Sequence, residues 1–141
     1  MSTKSGRIAE LIAGCQGGDL DPHYVCYFDC FNRGLYYEAH EVLEHLWLGD
    51  RNGSNGSFYK GLIQLAGAFV HLQKGRLRPS AALFKLAKAN LQNYPGTHER
   101  LDLSAVMRLI EFWLRRLETG QFAENPLTNG NPPKIELLRA V

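Results

Sequence analysis

The chain has 141 residues, of which 45% are hydrophobic and 21% are charged, and its formal net charge is +2. A chain of this length fits one domain of about 100 to 150 residues, and its hydrophobic content excludes a disordered protein. The small net charge gives no reason to expect binding to nucleic acid or to an anionic membrane surface. We expect a single domain over residues 1–141, with residues 1–5 and 121–141 peripheral or extended.

The N-terminus and the cysteines bear on the compartment of the protein. The segment Met1–Gly6 lacks the apolar core of a secretory signal, and no apolar run reaches the roughly 18 to 20 residues of a membrane span. The chain has three cysteines, which cannot all pair with one another. Cys26 and Cys30 lie four residues apart, where buried thiols behave as small hydrophobic groups. We expect a cytoplasmic protein that does not bind membranes.

Glycines and prolines divide the sequence into segments of helix length, and no segment shows the alternation of a β-strand. Asp21 followed by Pro22 is typical of a helix start. The predicted helices cover residues 7–15, 22–32, 35–48, 58–74, 79 to about 94, and 102 or 104 to 120. This pattern predicts an all-α fold, an antiparallel bundle of four long helices with a short N-terminal helix and an extended C-terminal tail.

The last predicted helix carries one large apolar residue on the side opposite its apolar stripe. Its other apolar residues fall on one stripe, and Phe112 lies opposite them. Three later prolines exclude further helix, so we predict an extended tail that can dock through Ile135–Leu138. Phe112 then packs either under this tail or against a second subunit. The nearby Arg108, Arg115 and Arg116 are interpreted as a solvated helix face.

The densest group of ionisable side chains lies at residues 38–47, in the second of the longer helices. On a helical wheel, the apolar side chains of this helix define a buried face. His40 and Glu44 fall at the edge of that face, beside Tyr36 and Trp47. The side chains predicted to point into solvent are those of Glu38, Glu41 and His45.

The following helix is apolar on nearly every side, which predicts a central, buried position. Its few exceptions, Lys60, Gln64, Gly67 and His71, share one stripe. Gly67 costs about 1 kcal/mol of helix propensity relative to alanine, so we expect a neighbouring helix or a ligand to approach closely there.

The polar edges of these two helices should meet, because a short connection makes the helices antiparallel neighbours. Unpaired carboxylates and imidazoles are costly in a core, so we predict a cluster of His40, Glu44, Gln64 and His71 in which these groups satisfy one another. The cluster is a structural hydrogen-bond network, a metal site, or a site for a small polar ligand. The further candidate ligand-binding residues are Tyr36, Trp47 and Lys60.

Two imidazoles and one carboxylate are the ligand set of many catalytic zinc and non-haem iron sites. In this hypothesis His40, Glu44 and His71 hold a divalent zinc, iron or manganese ion, and Glu41 or Glu44 is the general base in the hydrolysis of an ester, amide or phosphoester. The segment His40–Glu44 resembles the motif H-E-x-x-H but lacks its second histidine. The Glu-x-x-His pairs of di-iron proteins are absent.

The segment FNRGLYYEAHEVLEHLW at residues 31–47, followed by FYKGLIQ at 58–64 and by His71, resembles the DUF309 family of small bacterial and archaeal proteins. The resemblance covers roughly residues 28–94. It implies an α-helical bundle, and members of the family are sometimes labelled predicted metal-dependent hydrolases on their motif. The family pattern falls on His40, Glu44, Trp47, Gln64 and His71.

Two functional hypotheses follow from these residues. The first is the metal-dependent hydrolase described above. The second is a scaffold or interaction module, in which the polar cluster stiffens the core and an exposed groove or Phe112 meets a protein partner or a second copy of the chain.

Overall fold

The computed structural model describes residues 4–139, so the peripheral or extended placement predicted for residues 1–3 and 140–141 lies outside the described part. Within it the chain forms six helices and one two-stranded antiparallel sheet, which confirms the all-α prediction. The helices are α1 (Lys4–Ala13), α2 (Pro22–Asn32), α3 (Tyr36–Leu48), α4 (Gly56–Gln73), α5 (Leu77–Leu91) and α6 (Leu103–Thr119). The strands are β1 (Thr97–His98) and β2 (Leu101–Asp102). Among residues 4–139, no helix combines the length and the apolar character that crossing a bilayer requires.

Two of these helices have an N-terminal side-chain cap at the position where the sequence predicts their start. The carboxylate of Asp21 accepts a hydrogen bond from the backbone N–H of His23 at 2.8 Å. The carboxylate of Asp102 accepts one from the backbone N–H of Ala105 at 3.1 Å. Each bond satisfies an amide that has no partner inside its helix, which fixes the first turn.

The predicted boundaries of α4 and α5 need correction. α4 starts at Gly56, two residues before the predicted start at Phe58. α5 starts at Leu77, two residues before the predicted start at Pro79. Proline fits as the third residue because backbone N–H groups in the first helical turn have no partner inside the helix. α5 also ends at Leu91 and not near Tyr94.

α4 occupies the centre of the fold, as its apolar sequence predicts. It packs against both α3 and α5, and most of its large apolar side chains are fully buried. Two buried hydroxyls from neighbouring helices donate to its backbone carbonyls. Tyr27 donates to the carbonyl of Leu62 at 2.6 Å, and Ser80 donates to that of Ala68 at 2.8 Å. These groups are therefore buried without losing a hydrogen bond.

The small β-hairpin is absent from the predictions because strands of two residues are too short to show an alternation. Its turn residues Glu99 and Arg100 have φ values of 50° and 55°, which cost about 1 to 3 kcal/mol each for residues other than glycine. Three contacts hold this turn. Tyr24 donates to the carbonyl of Glu99 at 2.9 Å, Asp19 pairs with Arg100 at 2.9 Å, and the N–H of Leu138 donates to the carbonyl of Arg100 at 2.7 Å.

The C-terminal tail is extended and docks as predicted. Ile135 is buried, and its backbone exchanges two hydrogen bonds with the side-chain amide of Asn32, at 2.7 and 2.8 Å. The tail does not cover Phe112, whose side chain remains 50% exposed. The predicted packing of Phe112 under the tail is therefore wrong.

Gly61 and Gly67 form a matched pair for testing how closely α4 and α5 approach. A Cβ at Gly61 would lie 2.7 Å from Leu91 Cγ, whereas at Gly67 the nearest atom, Leu83 Cδ1, would lie at 3.1 Å. We expect Gly61→Ala to lower the free energy of unfolding by about 1 to 3 kcal/mol, because the helices must separate. Gly67→Ala should have little effect, because Leu83 can shift and alanine adds about 1 kcal/mol of helix propensity.

Urea unfolding of the two variants beside the wild-type protein measures this difference. Equal destabilisation by both substitutions would show that the approach at Gly61 is no closer than that at Gly67.

Candidate functional site

A cleft of about 310 Å³ lies where α3, α4 and α5 meet. Three members of the predicted cluster, His40, Gln64 and His71, line it. The remaining lining residues are Tyr37, Ile63, Gly67, Val70 and Leu83. The helical stripe predicted on α4 thus faces a real concavity, and most of the surrounding wall is apolar.

His40 and Glu44 lie beside each other, one helical turn apart on α3. His40 Nε2 lies 3.3 Å from Glu44 Oε2, and the two side chains are 27% and 31% exposed. The helical wheel predicted both side chains at the edge of the buried face, and they lie there, half-buried at the rim of the fold and not inside the core. An imidazole in this position reaches both the cleft and the solvent.

Gln64 makes its hydrogen bond to α5 and not to the other cluster residues. Its Oε1 accepts from Asn90 Nδ2 at 2.7 Å. Within residues 4–139 the Nε2 donors of Gln64 make no hydrogen bond. The predicted closed network of four side chains does not form, because Asn90 of α5 takes the place that His40 and His71 were expected to fill.

His71 carries the unsatisfied polar atom of the cleft. Its Nδ1 is buried and has no hydrogen-bond partner in the described part of the chain. Burial, reinforced by the positive charges of Arg76 and Lys74, lowers the pKa of His71 below its ordinary value of 6.5. The ring is therefore neutral at pH 7. An unpartnered buried nitrogen of this kind costs about 1 to 3 kcal/mol.

Glu41 occupies a different place from the one predicted. It was expected in solvent, but its side chain is only 2% exposed and forms an ion pair with Arg7 of α1. The Arg7 guanidinium also lies 5.9 Å from the centre of the Tyr37 ring. The helical wheel assigned Glu41 to the solvent side of α3, but α1 packs on that side and excludes solvent.

The other predicted ligand-binding residues do not line the cleft. Tyr36 is buried in the core, where its ring stacks on Phe69 at 5.2 Å and burial raises its pKa to about 12. Trp47 is half-buried against the core, and Lys60 is exposed beyond the cleft. Tyr37, which was not predicted as a site residue, lines the cleft with its ring centre 5.6 Å from that of His40. Its i, i+3 spacing to His40 was the available signal.

The structure does not fit the proposed metal site. Among residues 4–139, no group of three or more His, Cys, Asp or Glu side chains is arranged to hold a metal ion. Two of the predicted ligands, His40 and Glu44, contact each other, and His71 lies across the cleft on α4. The donor set needed for a zinc, iron or manganese ion is therefore not assembled.

A second pair of histidines lies on the other side of α3. The rings of His23 and His45 stack with their centres 4.6 Å apart and their planes 9° apart, in a cleft of about 330 Å³ beneath α1. Parallel stacked rings do not direct their nitrogen lone pairs to one point, so this pair does not form a chelating site. Asp21 Oδ1 lies 3.1 Å from His23 Nδ1 and orients that ring.

The lowered pKa of His71 predicts a pH dependence of stability. The unfolded chain binds this proton more readily than the folded protein does, so the free energy of unfolding should fall as pH drops below about 6.5. His71→Gln should remove this contribution. An NMR titration of the imidazole resonances gives the midpoint directly, and a value at or above 6.5 for His71 would contradict the assignment.

The half-buried position of His40 at the rim of the fold predicts a small effect on stability. The i, i+4 pair with Glu44 is half-exposed, so it contributes about 0.3 to 0.5 kcal/mol. We expect His40→Ala to lower the free energy of unfolding by less than about 1 kcal/mol, measured by urea unfolding. A loss of about 3 kcal/mol would instead indicate that His40 is part of a structural network.

Comparison with known proteins is consistent with this fold and these residues. Residues 24–92 match the model of the family described as "Domain of unknown function (DUF309)". A protein of Aquifex aeolicus (strain VF5) with the name "Uncharacterized protein" is 28% identical over 106 residues, which are 75% of this chain and 29% of that protein. The chain therefore spans less than a third of the length of this relative. No solved structure matches the chain significantly. The resemblance noted in the sequence is confirmed, because the part of the chain that matches the DUF309 model, residues 24–92, includes the α3 and α4 walls of the cleft.

Proposed function

We propose that this protein is a cytoplasmic binding protein whose single domain spans residues 1–141. Its ligand is a small organic molecule that occupies the cleft between α3, α4 and α5. The observation that supports this proposal is the unpartnered Nδ1 of His71 on a residue that lines the cleft. When the imidazole of His71 rotates about its Cβ–Cγ bond, Nδ1 can form a hydrogen bond with a ligand atom in the cleft. This bond recovers the free energy that is lost while the nitrogen is unsatisfied.

The walls of the cleft indicate the body of the ligand. Ile63, Val70 and Leu83 are apolar, and the Tyr37 ring forms one edge. Gly67 lies among them, and because it has no side chain the cleft is deeper at this position. A flat apolar group buried on this surface gains about 25 cal/mol for each Å² removed from water. The ligand therefore has an apolar, ring-sized body.

The polar residues indicate the end group of the ligand. Gln64 has Nε2 donors that its bond to Asn90 does not use, and His40 stands on the opposite wall. Arg76 and Lys74 are close enough to act on the charge of His71, so the potential at this end of the cleft is positive. Amide donors and a positive potential favour a carbonyl or carboxylate oxygen over a cationic group.

The binding proposal takes precedence over the metal-dependent hydrolase. Both candidate bases have other neighbours, since Glu41 is paired with Arg7 on the side of α1 and Glu44 is paired with His40. The three predicted metal ligands are not assembled. The purely structural scaffold differs from our proposal in one respect, because it predicts that the cleft binds nothing.

Three probes with the same ring and different end groups test the proposal, namely benzoate, benzamide and benzamidine. We expect benzoate and benzamide to shift the backbone amide NMR signals of α4 near Gly67 and His71, with dissociation constants around the millimolar range typical of such small molecules. Benzamidine should cause no such shifts. His71→Leu and Gln64→Leu should each weaken binding by about tenfold, whereas His45→Ala, outside the cleft, should leave binding unchanged.

Two outcomes would overturn this proposal. An absence of shifts with all three probes would favour the scaffold. A one-to-one complex with zinc, iron or manganese that disappears in both His40→Ala and His71→Ala would favour the metal-dependent enzyme.

A further inference from the structure

We propose that the outer face of α6 binds an acidic, amphipathic segment of a protein partner. We call this surface the α6 basic face and define it by Arg108, Phe112, Arg115 and Arg116. The three arginines are three or four residues from Phe112, so all four side chains share one side of the helix. This surface is separate from the cleft and does not depend on the function proposed for it.

The geometry of α6 leaves this face without a covering element. The opposite side of the helix is buried through Trp113, Leu114 and Leu117. Phe112 is 50% exposed, and its ring centre lies 5.8 Å from that of Trp113 and 5.7 Å from the Arg116 guanidinium. A phenylalanine held at the surface by its own helix provides an apolar anchor point.

The positive charge of this face remains because the glutamates of α6 pair with lysines of another helix. Glu111 pairs with Lys88 at 3.3 Å, and Glu118 pairs with Lys85 at 3.7 Å, so both glutamates form ion pairs with α5. Arg108 and Arg115 are exposed and form no ion pair among residues 4–139, although Arg115 lines a cleft together with Glu111 and Glu118. The α6 basic face is therefore cationic around an apolar centre, and its complement is acidic with an apolar side chain.

Size and charge favour an acidic protein segment over other occupants. The face is one helix wide and has one exposed ring, whereas nucleic acids bind along extended basic grooves with several stacking side chains. The net charge of +2 for the whole chain provides no long-range attraction for a polyanion. A second copy placed face to face would bring like charges together. Carboxylates on a partner helix can instead bind the guanidinium groups in bidentate pairs.

The test uses a short, fluorescently labelled amphipathic peptide made of glutamate and leucine, and a control peptide with glutamine at every glutamate position. Fluorescence anisotropy with the full chain should show binding of the acidic peptide that weakens as salt is raised. Phe112→Ala, and the triple variant Arg108→Gln, Arg115→Gln and Arg116→Gln, should each weaken binding by about tenfold or more. All these side chains are exposed, so circular dichroism should show unchanged folding.

A charge-matched control separates the α6 basic face from net charge. The triple variant Arg51→Gln, Lys74→Gln and Arg139→Gln removes the same charge from exposed positions outside α6 and should bind the acidic peptide normally. Equal loss in both triple variants, equal binding of the glutamine peptide, or tighter binding of a single-stranded oligonucleotide than of the acidic peptide would each overturn the proposal.

Discussion

The burial of α4 is the constraint on which the rest of the structure depends. A helix that is apolar on nearly every side must be covered by others, and α3 and α5 provide that cover. The absence of a side chain at Gly61 lets Leu91 of α5 come close to the α4 backbone. Where the apolar surface of α4 is interrupted, at Gln64, Gly67 and His71, the cover is incomplete. The cleft is this interruption, so it follows from the same packing that stabilises the core.

The ionisable groups around the cleft show how neighbouring helices decide the state of a side chain. Glu41 and Glu44 are three residues apart on α3, yet one is buried against Arg7 and the other lies half-exposed beside His40. His71 is desolvated near two cations and is neutral, and within residues 4–139 its Nδ1 has no hydrogen-bond partner. These environments make the cleft better suited to hold an uncharged or anionic group than to assemble a metal centre.

α6 contributes to the fold through one side and leaves the other available. Its buried stripe and its ion pairs with α5 fix its position, and both of its paired glutamates face that junction. The outward side is left with arginines around Phe112. A chain with a net charge of only +2 thus presents a locally cationic surface, because Glu111 and Glu118 of this helix pair with lysines of α5.

Periodicity and caps in the sequence determined the helices, the central place of α4 and the stripe of Gln64, Gly67 and His71, because these depend on spacing within one segment. Only the tertiary structure decided which side chains meet. Asn90 of α5 donates a hydrogen bond to Gln64, and Arg7 of α1 forms an ion pair with Glu41. Tyr37, and not the predicted Tyr36, lines the cleft. The short hairpin likewise depends on contacts from α2 and the tail. The partner of a polar group belongs to whichever helix packs beside it, and the spacing of residues along a single helix does not contain that information.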